Sequence, residues 1–307
     1  MKISYSKSVL KQKIIAIVGP TASGKSSLGV FLAQKLNGEI ISADSRQVYK
    51  GLNIGTGKVT KKEMGGIKHH LLDVSSPKKQ FTVDNFVRLA TKVQDRIVKN
   101  GALPIVVGGT GLYVDMFLGR MSYPNVPPNE KLRKQLEHRT TEQLFVQLQK
   151  LDPRRAANIE PDHKRRIIRA IEIAKAIGQS PKISRSDASG EYEVLWLGLS
   201  PTPEKLKKNI RIRLFARIRA GMIREAEKLH KAGLSYKRME ELGLEYRYLS
   251  ALLQKRLTQK EFETELERAI WQYAKRQKRW FRRNKEIVWV SGKAEALRLS
   301  KKFLGGR

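Results

Sequence analysis

The sequence predicts an α/β fold, with a parallel sheet flanked by helices and an all-helical insert domain, and three observations favour this class. A strand, a glycine-rich loop and a helix follow one another directly over residues 14–36. Two further apolar runs each end in small or polar residues, as strands do beside the ligand crevice of an open α/β sheet. The middle of the chain has only helical patterning, which predicts the insert.

The first loop has the pattern of a phosphate-binding loop. Residues 14–18 form a β-branched run typical of a buried strand, and residues 27–36 are patterned as a helix. Between them lies the motif G-x-x-x-x-G-K-[ST], carried by Gly19, Gly24, Lys25 and Ser26. In this strand–loop–helix context the match predicts a P-loop NTPase-like core that binds a di- or triphosphate group.

The loop is suited to one anion for several reasons. Glycines let the backbone fold so that N–H groups converge, and the helix N-terminus adds partial positive charge. Lys25 adds a full charge, and Ser26 is the predicted ligand of Mg²⁺. The predicted phosphate-binding residues here are Gly19, Thr21, Ala22, Ser23, Gly24, Lys25 and Ser26.

Composition favours a polyanionic partner. The 307 residues include 62 Lys plus Arg against 29 Asp plus Glu, a net charge of +33. Such a charge favours nucleic acid, and an anionic membrane surface is the competing partner. We expect no membrane-spanning segment, and the lack of cysteine favours the reducing cytoplasm over a disulfide-forming compartment.

Residues 39–43 are the second predicted strand, and Asp44 follows at its end. The carboxyl ends of parallel strands meet at one edge of a sheet, so we expect Asp44 to face the phosphate loop. Three roles remain open for this residue: a helix N-cap, a functional carboxylate, and a magnesium ligand of the Walker B kind.

The rest of the core follows a strand–helix alternation. A third strand over 103–107 leads into a second glycine-rich turn, where Thr110 offers a hydroxyl next to the crevice. The other predicted core elements are strands at 69–74, 193–199 and 287–290 and helices at 81–98, after Pro203, and near 266–283.

A linker at 123–128 begins the helical insert, residues 121–189, which divides the core domain into 1–120 and 190–307. Helices are predicted at 130–139, 141–150 and 162–177, with a short one beginning at 152, and a polar segment follows at 178–190. Arg165, Arg166 and Arg169 share one helical face. A solvated face and a phosphate-contacting face both fit this spacing.

Four motifs together resemble the tRNA dimethylallyltransferases, also called tRNA isopentenyltransferases. They are Gly-Pro-Thr-Ala-Ser-Gly-Lys-Ser at 19–26, Asp-Ser-Arg-Gln-Val-Tyr at 44–49, Gly-Gly-Thr-Gly-Leu-Tyr at 108–113 and Arg-Ile-Ile-Arg-Ala-Ile-Glu at 166–172. Supporting matches include Glu225 and the pair Arg276-Gln277. The motifs run along nearly the whole chain in the family's order.

The resemblance implies transfer of a dimethylallyl group from dimethylallyl pyrophosphate to N6 of adenine 37, beside the tRNA anticodon. It implies that Asp44 takes the amine proton, that Thr110 lies near the reacting centre, and that Arg213 binds pyrophosphate. It implies tRNA as partner, Mg²⁺ as cofactor, a monomer and no membrane. The tRNA contacts that it implies are Asp44, Ser45, Arg46, Gln47, Thr110, Arg133, Arg165, Arg166, Ile167, Ile168 and Arg169.

The chain departs from the family pattern at Arg165, at Asn209 and at residues 242–247. Two other functions compete with the prenyl transferase. A P-loop nucleoside or nucleotide kinase shares the first motif and would turn over ATP. A non-catalytic basic RNA-binding protein would not need Asp44.

Overall fold

The computed structural model describes residues 11–121, 124, 126–179 and 192–306. These residues form two compact units. The first unit comprises the described residues within Met1–Leu118 and Ser189–Arg307, and the second those within Gly119–Ala188. Part of the predicted 123–128 linker and most of the predicted polar segment at 178–190 lie outside the described residues.

The first unit is built on a parallel sheet. Its described strands are β1 Gln12–Val18, β2 Gly38–Ala43, β3 His69–His70, β4 Leu103–Gly108, β5 Tyr192–Gly198 and β6 Val288–Trp289. Their order in the sheet is β3-β2-β4-β1-β5-β6, and each neighbouring pair is parallel. The predicted α/β class with a parallel sheet is therefore confirmed.

Helices make up most of the remaining described chain. They are α1 Lys25–Lys35, α2 Lys61–Met64, α3 Val83–Lys99, α4 Gly111–Phe117, α5 Glu130–Glu137, α6 Thr141–Leu151, α7 Pro153–Ala156, α8 Lys164–Ile177, α9 Pro203–Arg219, α10 Met222–Lys231, α11 Tyr236–Leu242, α12 Leu244–Leu253, α13 Gln259–Phe281 and α14 Lys293–Leu304. Helices α5 to α8 form the second unit.

Strand β1 lies in the centre of the sheet and is buried on both faces. Ile14, Ala16 and Val18 belong to one apolar cluster, while Ile15 and Ile17 belong to another on the opposite face. All five side chains are fully buried. This double burial explains why the strand is a continuous apolar run rather than an alternating one.

Two element boundaries differ from the predicted ones for backbone reasons. Strand β3 ends at His70, not at 74, because Leu71 and Asp73 have left-handed φ values of 64° and 56°. Helix α1 begins at Lys25, two residues before the predicted start, with Gly24 as its N-cap at φ 95°. The phosphate loop is therefore shorter than the pattern predicted.

The second unit has an apolar core of its own. Leu144 and Leu148 of α6 pack with Ile167 and Ile171 of α8, and all four are fully buried. In the described residues of both units, no helix combines the length and the apolar character needed to cross a membrane.

Candidate active site

Three neighbouring strands, β2, β4 and β1, end level with one another. Gly108 at the end of β4 pairs with Val18 of β1 and with Ala43 of β2. The segments that follow these strands therefore lie side by side and line a cavity of about 1390 Å³ in the first unit. Its walls also include residues of α9 and α13, namely Asn209, Arg213, Tyr273 and Gln277.

The phosphate loop turns tightly at the carboxyl end of β1. A Cβ at Gly19 would lie 2.4 Å from the Leu199 carbonyl oxygen, and Ala22 and Gly24 have left-handed φ values. Gly19 itself does not line the cavity, whereas the predicted loop residues from Thr21 to Ser26 do. The Ser23 Oγ is buried and has no hydrogen-bond partner in the described part of the chain. A buried hydroxyl without a partner fits a bound anion.

Two cations face this loop. Burial, then the charge of Arg213, lowers the pKa of Lys25 from 10.5 to about 7, while Asp44 acts in the opposite direction. The Lys25 Nζ donates to the Pro20 carbonyl at 2.6 Å. Burial, then Arg217, lowers the pKa of Arg213, although its guanidinium is open to the cavity. Both side chains line the cavity, where a bound anion would favour their charged forms.

Asp44 lines the same cavity and caps its own turn with one oxygen. Its Oδ1 accepts hydrogen bonds from the backbone N–H groups of Arg46 at 2.8 Å and Gln47 at 3.2 Å. No helix begins directly after Asp44, so the helix N-cap prediction is wrong, and this oxygen closes a turn instead. The Oδ2 has no hydrogen bond to any residue that the structure describes, so one carboxylate oxygen is available to a ligand.

Thr110 contacts Ser45, the residue that follows Asp44. Its Oγ1 accepts a hydrogen bond from the Ser45 N–H at 3.0 Å and lies 3.4 Å from the Ser45 hydroxyl. Thr110 is the N-cap of α4, but its side chain makes no cap hydrogen bond there. The cavity is lined by Ser45, Arg46 and Gln47 but not by Thr110. Nearby Tyr273 has its pKa raised to about 12, chiefly by burial.

Several residues at the cavity have roles that the sequence did not indicate. Asn209, noted only as a departure, donates from Nδ2 to the Ala22 carbonyl of the phosphate loop at 3.1 Å. Gln277 bonds to the same loop at Thr21. Resemblance to the family marked both positions without a role, and each is a polar residue next to a buried apolar position of its helix.

Glu225 holds a loop that forms one wall of the cavity. Its carboxylate accepts from the backbone N–H groups of Asn53, Ile54 and Gly55, at 3.0, 2.8 and 2.8 Å. The Tyr246 hydroxyl donates to the same carboxylate at 2.8 Å. The loop continues into Thr56 and Gly57, which line the cavity. This explains why a carboxylate stands at 225 in helix α10.

The second unit contains a separate cluster of buried charge. Glu172 accepts hydrogen bonds from Arg133 through Nε at 3.0 Å and Nη2 at 2.9 Å, from the Asn129 N–H at 2.5 Å and from Arg169. Burial acts to raise the pKa of Glu172, but the bonds from Arg133, Asn129 and Arg169 outweigh it and lower the pKa. Arg169 also donates to the Val126 carbonyl at 2.8 Å.

The predicted tRNA-contacting residues of this unit therefore have different environments. Ile167 and Ile168 are buried in its apolar core. Arg133 and Arg169 bind Glu172. Arg165 and Arg166 are exposed, and Arg166 lies 3.3 Å from Glu160. Of the predicted tRNA-contacting residues in this unit, Arg165 and Arg166 are the ones classed as exposed.

Similarity to known proteins covers nearly the whole chain. A family model described as IPP transferase matches residues 47–284. A tRNA dimethylallyltransferase of Anoxybacillus flavithermus is 39% identical over 281 residues, spanning 91% of this chain and 90% of that protein. A tRNA dimethylallyltransferase 1 of Geotalea uraniireducens is 39% identical over 295 residues, spanning 95% and 96%.

Solved structures agree with these relatives. A tRNA isopentenylpyrophosphate transferase from Bacillus halodurans is 36% identical with a TM-score of 0.71, covering 96% of each chain. A eukaryotic dimethylallyltransferase acting on tRNA is 25% identical with a TM-score of 0.80, covering 96% of this chain and 80% of that one.

Proposed function

The chain belongs to the IPP transferase family, and on that premise we propose that it is a tRNA dimethylallyltransferase. It transfers the dimethylallyl group of dimethylallyl pyrophosphate to N6 of adenine 37 in tRNA and releases pyrophosphate. One observation supports this most directly. A cavity whose Lys25 and Arg213 form no ion pair with a described residue also contains a carboxylate with one oxygen unbonded to any described residue.

The carboxylate suits the nucleophile. An exocyclic adenine amine is weakly nucleophilic because its lone pair is delocalised into the ring. Oδ2 of Asp44 accepts a hydrogen bond from this amine and takes one proton as the N6–carbon bond forms. Oδ1 stays bonded to Arg46 and Gln47, which fixes the orientation of the carboxylate during the reaction.

The cations suit the leaving group. As the allylic carbon–oxygen bond breaks, the electron pair goes to the pyrophosphate oxygen. Lys25, Arg213 and the loop N–H groups stabilise that charge, and Ser23 Oγ donates the hydrogen bond that it lacks in the protein. A bound pyrophosphate raises the pKa of Lys25 and keeps it protonated. Thr110 holds Ser45 beside Asp44 and thereby positions the base.

The loop also fits Mg²⁺. The Ser26 hydroxyl is exposed to the cavity on the first turn of α1, and Mg²⁺ prefers such oxygen ligands together with phosphate oxygens and water. We therefore propose Ser26 as the protein ligand. When bound, the ion neutralises further charge on the leaving pyrophosphate.

The polyanion implied by the net charge of +33 is tRNA. Adenine 37 must leave the anticodon-loop stack to reach a carboxylate inside a cavity, as in other enzymes that act on single bases. Ser45, Arg46 and Gln47 line the cavity and would contact the extruded nucleotide. We further propose a cytoplasmic monomer.

Incubation with labelled dimethylallyl pyrophosphate, Mg²⁺ and an unmodified tRNA with adenine 37 flanked by adenines tests the proposal. We expect label on adenine 37 and one pyrophosphate released per transfer. A tRNA with guanine at position 37 is the control. ATP turnover without prenyl transfer would indicate a kinase, and tRNA binding without either reaction would indicate a non-catalytic RNA-binding protein.

A further inference from the structure

A buried amide joins the two glycine-rich segments of the cavity. Gln277 on α13 is 6% exposed. Its Oε1 accepts a hydrogen bond from the Thr21 N–H at 2.8 Å, and its Nε2 donates to the Gly109 carbonyl at 2.9 Å. The backbone partners fix which end of the amide is which, since Thr21 offers only a donor and Gly109 only an acceptor.

Glycine at 109 is required for this contact. A Cβ added there would lie 2.3 Å from the Gln277 Nε2, closer than real atoms approach. Any side chain at 109 would therefore displace the amide or the turn. The glycine serves close packing at this position, because its φ is not in the left-handed range.

One of the two bonded segments faces the proposed pyrophosphate, and the other supports the proposed base, Asp44. Thr21 belongs to the phosphate loop, and its N–H is already used by Gln277, which leaves the later loop N–H groups for the ligand. Gly109 precedes Thr110, whose Oγ1 accepts from the Ser45 N–H next to Asp44. A displacement of Gln277 would change the spacing between the pyrophosphate and the carboxylate.

We propose that Gln277 is a positioning residue that keeps the phosphate loop in register with the Gly109–Thr110 turn. This inference rests on the proposed function for its effect on catalysis, while its effect on pyrophosphate binding stands without it. Gln277 does not need to touch the substrate. It acts by fixing the two backbones that follow the paired ends of β1 and β4.

The test uses Gln277→Met, which keeps the length of the side chain and removes both hydrogen bonds, and Gly109→Ala, which disturbs the same contact from the other side. For both variants we expect about tenfold weaker binding of inorganic pyrophosphate by calorimetry and an at least tenfold lower kcat, because small misplacements cost rate steeply. The KM for tRNA should stay unchanged. The double variant should lose no more than the worse single variant, since both changes break one contact.

Gln94→Met is the matched control. Gln94 is also a buried amide, 4% exposed on α3, and it bonds to the Tyr192 hydroxyl away from the cavity. We expect this variant to bind pyrophosphate and turn over as the wild type does. Thermal unfolding of all variants separates a loss of fold from a loss of position.

Wild-type affinity and kcat in both test variants would overturn the proposal. An equal loss in Gln94→Met would overturn it too, because the effect would then follow from general destabilisation. If the wild type transfers no prenyl group, the proposed function fails, and the pyrophosphate affinities alone still decide the role of Gln277. If Gln277→Met does not fold, Gly109→Ala carries the same comparison.

Discussion

Positive charge has opposite environments in the two units. In the first unit, Lys25 and Arg213 face one cavity, form no ion pair with a described residue, and each has a lowered pKa. In the second unit, Arg133 and Arg169 share the carboxylate of Glu172, which is 2% exposed. The cations at the cavity have no ion-pair partner among the described residues, whereas those of the second unit share Glu172.

This difference distinguishes cations that can bind a ligand from cations that hold the protein's own structure. A cation held in a protein cavity without a counter-charge costs stability, so its retention indicates a ligand that supplies the charge. An arginine bonded to a buried carboxylate is already satisfied, and removing either partner leaves the other charge unpaired and destabilises the fold. Resemblance to the family assigned both groups to substrates. In the structure Arg133 and Arg169 are bonded to Glu172, and their contact with tRNA stays a prediction.

The largest expected effect is at the carboxylate facing the cations. Asp44→Asn keeps an oxygen that can accept from Arg46 and Gln47 but cannot take a proton. We expect transfer to fall by about 10²–10⁴-fold in single-turnover assays, with tRNA affinity lowered only modestly. Asp84→Asn, an exposed acid on α3, should be neutral. Turnover retained in Asp44→Asn would remove Asp44 from the mechanism.

The second effect tests the paired charges. Glu172→Ala leaves Arg133 and Arg169 without their carboxylate, and we expect a loss of about 3–5 kcal/mol in the free energy of unfolding by chemical denaturation. Pyrophosphate binding should not change. Glu130→Ala is the matched control, because Glu130 lies 3.5 Å from Arg133 but is exposed, and should cost less than about 1 kcal/mol. Equal costs would contradict the comparison.

The third effect is a proton taken up on binding. The pKa of Lys25 is about 7 in the free protein, so at pH 8 most molecules have it neutral. Bound pyrophosphate favours the charged form and raises this pKa, so binding takes up protons and weakens as the pH rises above 7. Calorimetry in buffers of different ionisation enthalpy measures the uptake. In Lys25→Arg the side chain stays charged, so the part of the proton uptake that comes from Lys25 should vanish. An unchanged uptake would show that the protons are taken up by pyrophosphate instead.

The smallest effect is expected at the exposed arginines of the second unit. Arg165→Ala and Arg166→Ala should each weaken tRNA binding by a few-fold and reduce its salt dependence by about one counterion per side chain. Titrations at several salt concentrations measure both quantities. Lys150→Ala on α6 is the control, which tests whether removing any exposed cation weakens tRNA binding and its salt dependence equally. An unchanged salt slope would place the tRNA elsewhere.

The predictions from sequence succeeded where neighbours along the chain determine the structure. The strand before the phosphate loop is such a case, because residues 14–18 are one apolar run and form a strand buried on both faces. The predicted end of β3 was wrong, because Leu71 and Asp73 have left-handed backbones and neither is a glycine that would signal one. The order of the strands was not deducible from alternation of strands and helices.

The supports of the cavity were beyond sequence reasoning. Gln277 contacts residues 256 and 168 positions away, and Glu225 binds a loop about 170 positions away. An amide or a carboxylate on a helix resembles any surface residue until its partners are known. Resemblance marked both positions but assigned them no role.

By itself, the sequence determined the parallel α/β class and predicted an anion-binding loop and a polyanionic partner, because these follow from local backbone preference, apolar periodicity and net charge. Only the tertiary structure decided which charges are free. Lys25 and Arg213 form no ion pair with a described residue, while Arg133 and Arg169 are paired with Glu172. Whether a charge is neutralised depends on what burial brings within a few ångströms of it, and that distance is not encoded in any stretch of chain around the residue.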